Sequence, residues 1–277
     1  MSRAASPWAI RLEPRQRYLS YALTAVQRGI AHRRALLFSV LAGVIWATLL
    51  FHVWRAVYEG RASWGGFRWE EMRTYLVLSY ALNAVLSSSV EQRIAEAVRT
   101  GNIALELTKP TNFLLVQLAQ SAGTAVVEGV VSAFIAVGMS MLLGGMVPPA
   151  TGGAGLLFAL SAVLGLGVKF LLSYLTGLLC FWTLNVTGLI WARTSITNFF
   201  SGALIPLQFL PAGLGLVAAW APFQSIIHTP LSVYLGRLDG RELWMALGLQ
   251  LFWLGVLGVL AHMLWRSSVR ALSVQGG

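Results

Sequence analysis

The chain has 277 residues, of which 57% are hydrophobic and 11% charged, with a mean hydropathy of +0.70. Several runs approach or exceed the roughly 20 apolar residues that cross a ~30 Å hydrocarbon core, which excludes a soluble globular domain; such continuous runs also exclude a β-barrel, whose strands alternate over about ten residues. The net charge of +10 points away from nucleic acid, because its basic residues gather at the ends of apolar runs, where membrane topology places them.

Seven arginines (Arg3, Arg11, Arg15, Arg17, Arg28, Arg33 and Arg34) precede the first apolar run against one acid, Glu13. This bias puts the N-terminus in the cytoplasm beside anionic lipid. The same segment lacks the layout of a signal peptide, so the first apolar run is expected to act as the insertion signal. Residues 14–34 set Tyr18, Ala22, Val26 and Ile30 at four-residue steps, the pattern of an amphipathic helix lying in the inner interface.

Residues 35–57 form the first expected crossing, with Trp54 and Tyr58 at the outer aromatic belt. Residues 72–90 return inward, with Asn83 and residues 87–89 as polar points for bonding to neighbouring helices. Residues 91–111, EQRIAEAVRTGNIALELTKPT, then make the longest polar interval between the first and last strongly apolar segments. Ile94 and Val98 share a face by their spacing, with Gln92, Arg93, Glu96 and Arg99 around the rest, and Gly101 is placed to stop the helix. A second short run, 103–107, carries Glu106 and ends at Lys109-Pro110, where proline breaks continuity with the next segment.

The third crossing is expected over 112–146, with a small-residue ridge of Ser121, Ala125, Gly129 and Ala133 for close helix approach. A tight outer turn leads to the fourth, over 154–182. An inner turn over 183–194 includes Asn185, whose glycosylation-like context is irrelevant on the inner side. The fifth crossing is placed at 195–206 and is soon interrupted by Pro206, Pro211, Pro222 and Pro230. Residues 206–235 are therefore read as a re-entrant hairpin on the outer side, since interrupted backbone needs protein partners in lipid. Residues 243–265 make the sixth crossing, followed by a cytoplasmic tail with Arg266 and Arg270.

The expected fold is thus an all-α polytopic membrane protein with six transmembrane helices and both termini cytoplasmic. Glu128 and Lys169 lie inside apolar runs at comparable depth on consecutive antiparallel helices. A lone charge there is costly, so an intramembrane ion pair between them is the expectation, serving either helix register or a substrate or proton site. The cluster Gly165-Leu-Gly167-Val-Lys169 lacks the spacing of a phosphate-binding loop, the single cysteine, Cys180, offers no disulfide, and His32, His52, His228 and His262 are scattered. Neither a cofactor, a metal site nor a catalytic motif is expected in this chain.

Several stretches together resemble the membrane subunits of ABC transporters of the ABC-2 type, also called type V exporters. They are Ala31-His-Arg-Arg-Ala35; Glu91 followed by Arg99-Thr-Gly-Asn-Ile-Ala-Leu-Glu-Leu-Thr-Lys-Pro110; Phe181-Trp182; Ser201-Gly-Ala-Leu-Ile-Pro206; Leu210-Pro211; and Ala221-Pro-Phe223. The resemblance covers nearly the whole chain, and membrane-embedded Lys169 is its one departure. It implies that residues 91–111 form the coupling helix docking into a separate ABC ATPase subunit, through Glu91, Arg93, Ile94, Glu96, Val98, Arg99, Gly101 and Glu106. It also implies an outer gate at Pro206, Pro211, Pro222 and Phe223, and ATP and Mg held by the partner ATPase. A second permease copy or a homologous permease would complete the path in a bacterial inner membrane. A secondary transporter or channel, and a lipid-modifying membrane enzyme, remain as alternatives.

Overall fold

The computed structural model describes residues 14–31, 33–85, 89–183 and 186–275. Arg3, Arg11, Glu13, His32, Ser87 and Asn185 lie outside the described residues. Among the described residues eleven α-helices carry the fold: α1 (Pro14–Ala31), α2 (Arg33–Val57), α3 (Trp69–Ala84), α4 (Ser89–Arg99), α5 (Ile103–Thr108), α6 (Phe113–Leu143), α7 (Gly152–Leu178), α8 (Val186–Phe200), α9 (Ala212–Trp220), α10 (His228–Tyr234) and α11 (Gly240–Gln275). A two-residue antiparallel ladder, β1 (Ser63–Trp64) with β2 (Phe67–Arg68), joins α2 to α3.

Among the described residues four helices are long and apolar enough to cross a bilayer, over Val40–Val57, Phe113–Leu143, Gly152–Phe181 and Gly240–Arg270. The molecule is a helical polytopic membrane protein, and its exterior is correspondingly oily: Phe134, Leu142 and Leu156 are more than 70% exposed, while Glu91, Lys169 and Gln250 are buried. This inverts the usual soluble pattern, because lipid solvates apolar side chains and leaves polar groups to find partners inside.

Helix ends follow local chemistry. The Asn112 side chain accepts from Leu115 N to start α6, and Gly144 ends it at φ 96°. Thr151 starts α7 in the same way, by accepting from Ala154 N. Helix α3 starts at Trp69, before residue 72, because the Arg68 amide donates to the Glu71 carboxylate and Glu70 and Glu71 suit a helix N-terminus. It stops at Ala84, short of residue 90, with Val85 extended. Residues 183–194, expected as a turn, are largely helical: α8 runs from Val186, and its Arg193 is satisfied by a buried acid instead of water. The expected tail after Arg266 continues α11 to Gln275. Residues 206–235 fold into a 3-10 turn (Leu207–Phe209), α9, a second 3-10 turn (Pro222–Ser225) and α10.

Helix α7 is the hub, packed by α4, α10 and α11, and it carries the fully buried Val168, Tyr174 and Leu178. Its glycine cluster is packing: a Cβ on Gly165 would lie 2.3 Å from Ser225 O, and one on Gly167 would meet Leu254. Gln250 of α11 seals the same contact, donating to Ser161 O and Ser225 O and accepting from the Ser161 hydroxyl. Helix α1 lies along α6, and the closest approach is at Gly123, where a Cβ would sit 2.2 Å from Ala22 O. Of the ridge Ser121, Ala125, Gly129 and Ala133, Ser121 is buried and accepts from Arg93 Nη2, while Ala133 is exposed.

Candidate functional site

The polar interval 91–111 folds into two helices with different roles. Glu91, Ile94 and Val98 follow i, i+3, i+7 spacing, so a carboxylate shares the apolar face of α4. That face seats on α7 at Gly177, where an added Cβ would be 2.8 Å from Ile94 Cδ1 and 3.2 Å from Glu91 Cα. Ile94 is fully buried and Val98 half-buried.

Glu91 is 0% exposed, and its Oε1 lies 2.6 Å from the Arg193 guanidinium of α8. Its carboxylate oxygens find no hydrogen bond among the described residues, so Arg193 is the countercharge that makes its burial tolerable. Arg93 turns the other way, to α6, donating from Nε to Gln117 Oε1 at 3.3 Å and from Nη2 to Ser121 Oγ at 2.9 Å. Burial pushes its guanidinium down to about 10, with Glu91 and Glu128 opposing the shift, so it stays charged at neutral pH.

Beyond this anchored face the interval is exposed. Glu96 and Arg99 pair with each other at 2.8 Å on the surface of α4. Gly101 takes φ 73°, which a side chain would oppose, and turns the chain into α5. Ile103 is buried and anchors α5, while Leu105 is 64% exposed and Leu107 39% exposed. Glu106 pairs with Lys109, and that hydrogen bond raises the lysine pKa above its ordinary value. The interval therefore presents apolar knobs flanked by paired charges, on a base fixed to three other helices.

Lys169 is 3% exposed and donates to the carbonyls of Asn83 at 2.7 Å and Val85 at 2.6 Å. It caps the end of α3, where the helix leaves carbonyls unpaired. Glu128 is half-buried on α6, and its charge opposes the fall in the Arg93 pKa. Asn83, expected to bond to a neighbouring helix, donates to Asn198 Oδ1 of α8 at 3.3 Å. A cavity of about 70 Å³ opens beside it, bounded by Tyr80, Asn198, Met139 and Leu204 among others.

On the expected outer side, Pro206 is buried ahead of the first 3-10 turn, Pro211 is exposed before α9, and Pro222 opens the second turn. Phe223 lies 6.1 Å from Phe200, at the end of α8. This region is clasped to the α2–α3 connection by Arg237, which pairs with Glu71 at 3.0 Å, donates to Gly66 O at 2.8 Å and lies over the Phe67 ring at 3.3 Å. Phe209 packs against Trp54, Trp64 and Phe67.

The sequence marks Arg193 only as an inner charge and gives Tyr75 and Ser79 no role. In the fold Tyr75 donates to Gly202 O at 2.8 Å and Ser79 to Ala203 O at 3.2 Å. With Asn83 they stand at four-residue steps on α3, a polar stripe readable in an otherwise apolar segment.

Among the described residues no group of three His, Cys, Asp or Glu side chains is placed to hold a metal ion. A family model described as ABC-2 family transporter protein matches residues 44–276. No curated protein matches the chain.

Proposed function

The chain belongs to the ABC-2 family of transporter proteins and is a permease subunit of that type, and from that premise we propose that it forms the translocation path of an exporter driven by a separate ATPase. In this reading the α4–α5 element is the coupling helix pair on the cytoplasmic side. Its anchored base (Glu91, Arg93, Ile94 and Val98) receives force, and its exposed tip (Glu96, Arg99, Leu105, Glu106 and Leu107) docks into the ATPase. Gly101 sets the angle between base and tip. The observation that carries the reading is the exposure of Leu105 and Leu107 on an element whose other face is buried against α7 and pinned to α8 by Glu91. Exposed leucines on a rigid polar base suit a protein groove.

Six crossings follow if α3 and α8 span with their non-helical ends. At about 1.5 Å per residue they are ~24 and ~22 Å long, short of a ~30 Å core. Backbone beyond a helix end is tolerated at membrane depth when protein bonds it. Lys169 supplies those bonds after α3, and Tyr75, Ser79 and Trp54 supply them at residues 202–204, after α8. Helix α1 lies in the inner interface, and residues 206–235, with Pro206, Pro211, Pro222 and Phe223, form the outer re-entrant gate. Glu128 and Lys169 make an electrostatic pair that fixes helix register. ATP and Mg bind the partner ATPase, two permeases complete the path, and the assembly resides in a bacterial inner membrane.

ATP binding would draw the ATPase subunits together and carry the docked tip with them, and the packed helices would convert that displacement into opening of the path. The test is affinity purification of the tagged chain in mild detergent. An ATPase should accompany the parent chain and be lost from Leu105→Asp, with membrane insertion unchanged. A chain that reaches the membrane and brings down no ATPase would contradict the proposal and favour a channel or secondary transporter.

A further inference from the structure

Helix α8 is weakly anchored in the apolar sense: among its residues only Thr197 is buried, while Trp191 is 72% and Ile196 46% exposed. Its position therefore depends on specific polar attachments. Those attachments go repeatedly to side chains on two elements, α3 and α4. Tyr75 and Ser79 bond the carbonyls of Gly202 and Ala203 just after α8, Asn83 bonds Asn198 within it, and Glu91 pairs with Arg193 nearer its start. The end of α3 is itself held by Lys169, whose ammonium grips a carbonyl inside the helix and another just past it.

From this ladder we infer that α3, α4 and α8 form one lever, with Arg193 and Asn198 as the positioning residues that make α8 follow the coupling element. The inference rests on the permease reading above and adds to it the route of the motion. The two rungs differ in kind. Glu91 and Arg193 are both nearly inaccessible to water, so separating them would strand two charges in a low dielectric; during a pumping stroke it costs less to move both helices together. The Asn83–Asn198 bond adds orientation, since an amide pair in an apolar seam has few alternative partners. Outward of α8 the chain runs directly into residues 201–206, where His228 N bonds Ser201 O and Phe200 packs near Phe223. A stroke received at α4 thereby reaches the outer hairpin along a contiguous set of bonded elements.

The test uses the full chain with its copurifying ATPase in lipid nanodiscs, in a Cys180→Ser background. Nitroxide labels are placed in pairs at exposed positions: Gln92→Cys with Trp191→Cys, and Trp191→Cys with Leu156→Cys. Labelled chain is diluted with unlabelled chain, so that distances within one subunit dominate. Distances are compared without nucleotide and after trapping with Mg, ATP and vanadate. In the parent, the 92–191 separation should hold while the 191–156 separation shifts by several ångström. In Glu91→Leu/Arg193→Met/Asn198→Leu, which removes both charges together and so avoids a stranded ion, the 92–191 distribution should broaden and the 191–156 shift should be lost, with ATPase still bound. Asn198→Leu alone, which removes a single neutral bond, should reduce the shift in part. Retention of the full 191–156 shift in the triple variant would overturn the lever while leaving the permease reading intact. Absence of any ATPase from the parent preparation would overturn the permease reading and the lever with it.

Discussion

The junction on the expected inner side and the clasp on the expected outer side each rest on an arginine and a glutamate, yet they are built on opposite physical terms. Glu91 and Arg193 are 0% and 9% exposed at 2.6 Å, whereas Arg237 and Glu71 are 21% and 22% exposed at 3.0 Å. The inner pair is expensive to separate, because each ion would be left in a poorly solvating interior. The outer pair has water at hand, and its arginine shares its grip among a carboxylate, a carbonyl and an aromatic face. A fully buried ion pair suits parts that stay together while they move. A clasp of several modest interactions suits parts that separate and re-form.

Arg193→Met should produce the largest loss among single substitutions at these two sites. It strands the Glu91 carboxylate, at a cost of about 3–5 kcal/mol, whereas Glu91→Leu/Arg193→Met removes both charges and should recover most of it. Thermal unfolding of the detergent-purified chain reads both, and equal loss in the single and double variants would erase the difference between junction and clasp.

At the outer clasp, Arg237→Ala should cost about 1–2 kcal/mol in the same unfolding measurement, because water can partly replace the interactions of this half-exposed guanidinium. Arg237→Lys should recover only part of that, since an ammonium cannot serve a carboxylate, a carbonyl and a ring face at once. The smallest effect belongs to the exposed pair on α4: Glu96→Ala should change stability by less than about 0.5 kcal/mol. A large loss at Glu96 would mean that the exposed tip is part of the packed fold and not a free docking surface.

The long helices α6, α7 and α11 were legible because hydropathy and length suffice for continuous runs, and their caps Asn112, Thr151 and Gly144 are ordinary punctuation. Helices α3 and α8 depart from expectation at their ends for a physical reason: each stops where side chains from elsewhere bond its backbone, and a window of sequence cannot see Lys169 reaching Asn83 and Val85. Residues 91–111 were legible as a structured, partly apolar element. The burial of Glu91 was readable from its spacing to Ile94, but its partner, Arg193, lies about a hundred residues away and carries no local signal. The stripe Tyr75, Ser79 and Asn83 could have been found as a four-residue polar period, although two of its three acceptors are backbone carbonyls that leave no trace in residue type.

A permease driven from below requires the α4–α5 tip to face the cytoplasm and meet a second polypeptide there. With Cys180→Ser and Leu105→Cys, a membrane-impermeant maleimide should leave the chain unlabelled in intact cells and label it in inverted vesicles stripped of peripheral subunits, with protection when the ATPase is bound. Labelling of Leu105→Cys in intact cells would place the tip outside and contradict the coupling role.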